Sequence, residues 1–157
     1  MIVRVTPELC PAVGRVWAES WRQAHAGAVD PAYAAKQTTA LYAGQVLAPN
    51  MEAYAAQEQG EVCGVLRLDL CTGELATLYV VPAWQGKGLG GALLRFGVAR
   101  LRQCGFVPWL GVLSNNRRAA AVYEHCGFVP TGEELVLDAA RGIREIRYRW
   151  NGALPRR

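Results

Sequence analysis

No stretch of this sequence is apolar for long enough to span a bilayer as a helix, so a helical membrane protein is excluded as a reading. The first residues, Met1-Ile2-Val3-Arg4-Val5-Thr6, alternate like a strand and lack the apolar centre of a signal peptide, which sets the expectation of a soluble, cytoplasmic protein. Cysteine pairs at metal-binding or redox spacing are also missing. Cys10, Cys63, Cys71, Cys104 and Cys126 are odd in number, scattered and never C-x-x-C, so neither a disulfide framework nor a metal site is expected. Charge is sparse at 19% against 52% hydrophobic residues, which excludes a disordered chain. Repeats, linkers and low-complexity tracts are absent, and 157 residues suit one domain over residues 1–157. The net charge of +4 is mild. Part of it sits at Arg141, Arg144, Arg147, Arg149, Arg156 and Arg157, without the aromatic interleaving of an RNA-binding surface, so no nucleic acid partner is expected.

One local absence is more pointed: no Asp or Glu lies between Glu74 and Glu124, while Lys87, Arg95, Arg100, Arg102, Arg117 and Arg118 fall in that interval. At its start, Leu78-Tyr79-Val80-Val81 reads as a buried strand that Pro82 terminates, because proline has no amide hydrogen for a ladder. Gln85-Gly86-Lys87-Gly88-Leu89-Gly90-Gly91 follows, and the apolar residues from Leu89 to Leu101 read as a helix whose unpaired first-turn amides face the glycines. Such a helix end binds anions.

Three phosphate-binding readings compete. A mononucleotide loop, G-x-x-x-x-G-K-[ST], fails because Gly88 follows Lys87 and supplies no hydroxyl for Mg²⁺. Gly86, Gly88 and Gly91 match the dinucleotide fingerprint G-x-G-x-x-G formally, but the acid that should lie about 20 residues on for a ribose hydroxyl is missing. The third match is specific: Gln85-x-x-Gly88-x-Gly90 resembles the acetyl-CoA motif Q/R-x-x-G-x-G/A of the GCN5-related N-acetyltransferases. Downstream, Asn116-Arg117-Arg118-Ala119-Ala120-Ala121-Val122-Tyr123-Glu124-His125-Cys126-Gly127-Phe128 resembles that family's N-x-x-A-x-x-x-Y-E-x-x-G-F segment. The likeness is sharp over residues 74–129.

The remaining chain is read from its patterns. Ile2 to Val5 forms a strand, and Thr6-Pro7-Glu8 opens a helix with Leu9, Val13, Val16, Trp17 and Trp21 on one face. A second helix runs from Pro31 towards Val46. Strands follow at Glu52 to Gln57, Glu61 to Asp69 and Glu74 to Val81. The helix from Leu89 to Gln103 stops at Gly105, Phe106 to Leu113 is a strand parallel to the one before the loop, and a helix capped at Asn116 ends at Gly127. Leu135 to Leu137 and Ile143 to Trp150 make a last hairpin, with Ile146, Tyr148 and Trp150 buried and Glu145, Arg147 and Arg149 wet. The order β-α-α-β-β-β-α-β-α-β-β is an α/β chain around a mixed, mostly antiparallel sheet flanked by helices, and the resembling family has this order.

The resemblance implies direct transfer of an acetyl group from acetyl-CoA to a primary amine of a small molecule or peptide, without a metal. It implies that Tyr79, Val80 and Val81 hold the pantetheine arm through their backbone, with the Val81 amide donating to the thioester oxygen. Gln85, Gly86, Lys87, Gly88, Leu89 and Gly90 then take the pyrophosphate, and Asn116 touches the cofactor while capping its helix. Tyr123 protonates the departing thiolate and Glu74 removes the amine proton. Trp21, His25, Tyr33 and Tyr42 are candidate acceptor contacts, although aromatic residues at helical spacing are more often core. A homodimer is left open. The reading from a different class is a CoA-binding regulatory module that turns nothing over.

Overall fold

The computed structural model describes residues 1–152 except Ala26 and Ala28, so Arg156 and Arg157 of the C-terminal basic excess lie outside the described residues. The elements are β1 (Ile2–Arg4), α1 (Cys10–His25), α2 (Pro31–Ala35), α3 (Thr39–Gln45), β2 (Met51–Glu58), β3 (Glu61–Asp69), β4 (Glu74–Val80), α4 (Leu89–Gln103), β5 (Trp109–Leu113), α5 (Arg117–His125), β6 (Phe128–Asp138) and β7 (Ile143–Trp150). Among the described residues, seven strands form one sheet in the order β1-β2-β3-β4-β5-β7-β6. Only the β4–β5 pair is parallel among the described strands. None of the described helices is long and apolar enough to cross a membrane.

Strand alternation splits the core into two layers. On one side Leu66, Leu68, Leu75, Leu110, Val112 and Tyr148 pack with Leu93, Leu94 and Leu101 of α4 and with Phe128. On the other, Ala53, Ala55 and Val65 pack with Val13, Val16 and Trp17 of α1 and Tyr42 of α3. The central strand β3 is buried from Val62 to Leu68 without a break, because helices cover both of its faces. α1 and α3 cross closely at Gly14, where a Cβ would lie 2.6 Å from the Ala43 nitrogen.

Three boundaries differ from the sequence expectation by more than one residue. The expected helix from Pro31 to Val46 is two helices, because Thr38 leaves helical geometry (φ −100°, ψ 161°) to accept from the Leu41 amide and start α3 afresh. The buried Gln37 at the break accepts from the Tyr42 hydroxyl at 2.7 Å, so the corner is tied from inside. The strand expected from Phe106 starts only at Trp109. Phe106 instead donates its amide to the Leu101 carbonyl and Gly105 (φ +86°) donates to Arg102, which closes the end of α4. Finally, β6 is far longer than Leu135–Leu137, beginning at Phe128 and pairing with β7 past two irregularities.

Candidate active site

β4 and β5 meet at a single registered pair, Glu74 with Trp109, and both strands continue beyond it unpaired with one another. The gap that opens between them is a cavity of about 810 Å³. A bulge helps to open it: Arg67 pairs with Thr77 and Leu68 with Leu75, so Ala76 is left over on β4 and the strand bends.

Antiparallel pairing decides which backbone groups face the gap. The Val81 amide donates to the Cys63 carbonyl at 2.9 Å, and Tyr79 and Thr77 alternate in the same sense towards β3. Leu78 and Val80 therefore present their amides and carbonyls to the β5 side. The Val80 carbonyl is already held there by Gln85 Nε2 at 2.9 Å. The expectation that the Val81 amide donates to a thioester oxygen is corrected accordingly, since the sheet consumes that hydrogen. The groups on offer are the amides of Leu78 and Val80.

The glycine loop has the geometry for an anion. Gly86 (φ +76°) and Gly88 (φ +84°) are in the left-handed region, and no heavy atom lies within 4 Å of where a Cβ would stand at either. Their backbone is thus open to close approach. Gly88 is the N-cap of α4 and offers no side-chain cap, which leaves the amides of Leu89, Gly90 and Gly91 unsatisfied within the helix. Gly86, Gly88, Gly90, Gly91, Asn116 and Arg118 line the cavity. Asn116 also accepts from the Ala119 amide at 3.2 Å, so it caps α5 while bordering the cavity. These features fit a phosphorylated ligand whose stem runs along the free edge of β4.

Of the other residues singled out from sequence, Trp21, His25, Tyr42, Glu74, Tyr79, Val80, Gln85 and Tyr123 line the same cavity. Tyr33, Val81, Lys87 and Leu89 are not among its lining residues. Tyr33 is 54% exposed and touches Trp21 with ring centroids 6.0 Å apart, whereas the Lys87 ammonium rests over the Trp84 ring at 4.7 Å. His25 stacks on Trp21 at 4.4 Å and its Nδ1 lies 2.8 Å from the Trp21 carbonyl. Burial lowers the His25 pKa, which favours the neutral ring.

Tyr123 packs edge-on against Phe128, with centroids 6.3 Å apart, and burial raises its phenol to about 12. Among the described residues its hydroxyl has no hydrogen-bond partner, and Tyr79 is near enough for the two phenols to interact electrostatically. Glu74 is held above the usual carboxylate range by burial first, then by Glu145 and Asp69, with Arg147 opposing. Cys126 is buried, with its thiol pushed up by burial, while its neighbour His125 is exposed; they form no nucleophile pair.

Glu145, Ser20 and Arg118 line the cavity without having been singled out. Arg118 carried a signal in the basic run. Glu145 carried none, because alternation within its own strand says only that it lies on a wet face.

Residues 14–128 match the Acetyltransferase (GNAT) family, and the chain belongs to that family. It is 30% identical over 102 residues to an uncharacterised N-acetyltransferase of Mycobacterium tuberculosis, covering 62% of this chain and 65% of that one. A mycothiol acetyltransferase of Beutenbergia cavernae is 47% identical over 64 residues, 40% of this chain and 21% of its own. The chain thus spans about a fifth of the mycothiol enzyme and just under two thirds of the mycobacterial protein. Among solved structures, the PaiA N-acetyltransferase of Thermoplasma acidophilum in complex with coenzyme A aligns with a TM-score of 0.76 over 96% of this chain and 98% of that one, at 18% identity. The ribosomal-protein-S18-alanine N-acetyltransferase of Escherichia coli aligns at 0.72 over 96% and 92%, at 21% identity. These likenesses carry the fold. By its family match the chain is a member of the GNAT class.

Proposed function

We propose that the chain transfers an acetyl group from acetyl-CoA directly to a primary amine, with no covalent enzyme intermediate. The observation that carries this reading is the single cavity bordered at once by the open glycine loop, the free edge of β4, the Tyr123 ring and Glu74. The loop amides of Gly86 to Gly91 and Arg118 receive the pyrophosphate, and the Leu78 and Val80 amides receive the pantetheine arm as an added strand. Acetyl-CoA supplies an activated acyl carbon when bound.

Glu74 then takes a proton from the acceptor's ammonium, and the freed nitrogen lone pair forms the new C–N bond. The C–S bond breaks with its electrons on sulfur, Tyr123 delivers a proton there, and the second proton lost by the nitrogen restores the Tyr123 phenol. A phenol near 12 keeps that proton throughout the neutral range, so Tyr123 is available as an acid and not as a base. Glu74, raised by burial and by neighbouring carboxylates, is better matched to the amine proton than an ordinary solvated carboxylate. Trp21 and His25 border the acceptor side.

The test is an acceptor screen with acetyl-CoA that follows release of free thiol, paired with thermal shift in CoA and in NAD. CoA at about 100 times its Kd adds about 2.7 kcal/mol of stability, and NAD should add none. A shift with NAD alone would reverse the assignment. CoA binding without turnover of any amine would support the regulatory module instead.

A further inference from the structure

The cavity is lined by two carboxylates that have no salt-bridge partner among the described residues, Glu74 at the head of β4 and Glu145 on β7. Nearby basic side chains are engaged elsewhere. Arg147 pairs with Glu133 at 2.7 Å and lies over the Trp109 ring at 4.0 Å, and Arg144 pairs with Glu134. The Glu145 carboxylate is seated over β5 at a position that only glycine allows: a Cβ on Gly111 would stand 1.9 Å from Glu145 Oε1. A second, independent feature points to a ligand. Ser20 of α1 lines the same cavity, is 6% exposed, and its Oγ has no hydrogen-bond partner among the described residues. A buried hydroxyl left unpaired costs free energy unless something completes it.

Resting on the acetyl-transfer reading, we propose that Glu145 and Glu74 together receive the acceptor's ammonium, and that the acceptor is a cationic amine carrying no carboxylate of its own. Two carboxylates lining one cavity divide the work around one ammonium. Glu74 accepts one proton as the amine is freed, while Glu145 holds the amine against the β5 edge. Acetylation turns the cation into a neutral amide, which removes the attraction and favours release. Glu145 acts partly through Glu74, as a positioning residue that keeps its partner's proton affinity high. The other charged groups around Glu74 are Asp69 on β3, which adds to that effect, and Arg147 on β7, which opposes it. An amino acid with a free carboxylate meets repulsion at this end, and like charges brought together weaken binding.

The test uses three amines of one chain length and different charge: 1,4-diaminobutane, 4-aminobutanamide and 4-aminobutanoate. Their binding to the full-length protein, with and without CoA, is followed at low salt through ¹³C-labelled glutamate carboxyl resonances. The diamine should bind tightest and the aminobutanoate at least roughly tenfold more weakly. Glu145→Gln should compress that spread and move the Glu74 titration to lower pH. Gly111→Ala, which drives a methyl into the carboxylate's place, should do the same without removing a charge from the chain. Equal affinity for the three probes, no detectable diamine binding at millimolar concentration, or an unmoved Glu74 titration in Glu145→Gln would each overturn the proposal. Loss of CoA binding in the wild type would instead count against acetyl transfer, since the charge order is read without CoA as well.

Discussion

Arg100 on α4 grips Glu52 on β2 through two bonds of 2.8 Å, from Nε and from one terminal nitrogen, so the helix that begins at the glycine loop is pinned to the sheet near its other end. Tyr54 adds a hydroxyl donor to the same carboxylate at 2.6 Å, and Arg4 approaches it at 3.6 Å. These contacts, the Arg100 bonds foremost, pull Glu52 from 4.5 down to about 2.

A carboxylate whose pKa falls on folding stabilises the folded state above its unfolded value and loses that contribution as pH drops through the folded value. The Glu52 contribution is therefore complete above about pH 5 and fades between there and pH 2. Urea unfolding at pH 7, 4 and 2.5 should show this decline in the wild type. Arg100→Gln should be less stable at pH 7 and should show a shallower decline. A parallel decline in both proteins would mean that Arg100 is not the group holding the Glu52 pKa down.

Gly88→Val tests the loop. With φ at +84° a β-branched residue is strained even though the space around it is empty, so a stability loss of about 1–2 kcal/mol is expected. CoA affinity should fall much further, because the side chain stands where the pyrophosphate must approach. Gly105→Val is the matched control: its φ is +86°, it too has no atom within 4 Å, and it lies at the far end of α4. Comparable stability loss with intact CoA affinity is expected there. Equal affinity in the two variants, read by calorimetry, would separate the loop from cofactor binding.

Tyr123→Phe tests the acid. The hydroxyl has no hydrogen-bond partner among the described residues and the ring packing on Phe128 survives, so stability should change by no more than about 0.5 kcal/mol. Turnover should fall by roughly 10²- to 10⁴-fold, the range of general-acid contributions. The assay needs a saturating acceptor and chemistry as the slow step. Turnover near the wild-type rate would pass the proton's source to water or another side chain.

Local chemistry settled a large part of this protein. Pro82 after an apolar strand, glycines that tolerate positive φ, and Asn116 as a cap three residues before Ala119 each constrain the backbone within a few residues, and the family motifs occupy those same positions. Thr38 broke an expected helix through a signal present in the sequence, a β-branched capping residue, that competed with the apolar spacing around it.

Other features depended on contacts between residues far apart in the chain. Whether the Val81 amide is free was decided by Cys63, 18 positions earlier, because a strand's pairing edge is fixed by its neighbour and not by its own residues. The place of Glu145 was decided by Gly111, 34 positions away on the adjacent strand, whose missing side chain leaves room for a carboxylate. The sequence by itself determined a glycine loop at a helix start and a phenol within the following helix. Only the packing of seven strands, with β4 and β5 parting after one pair, decided that these meet two carboxylates in one cavity.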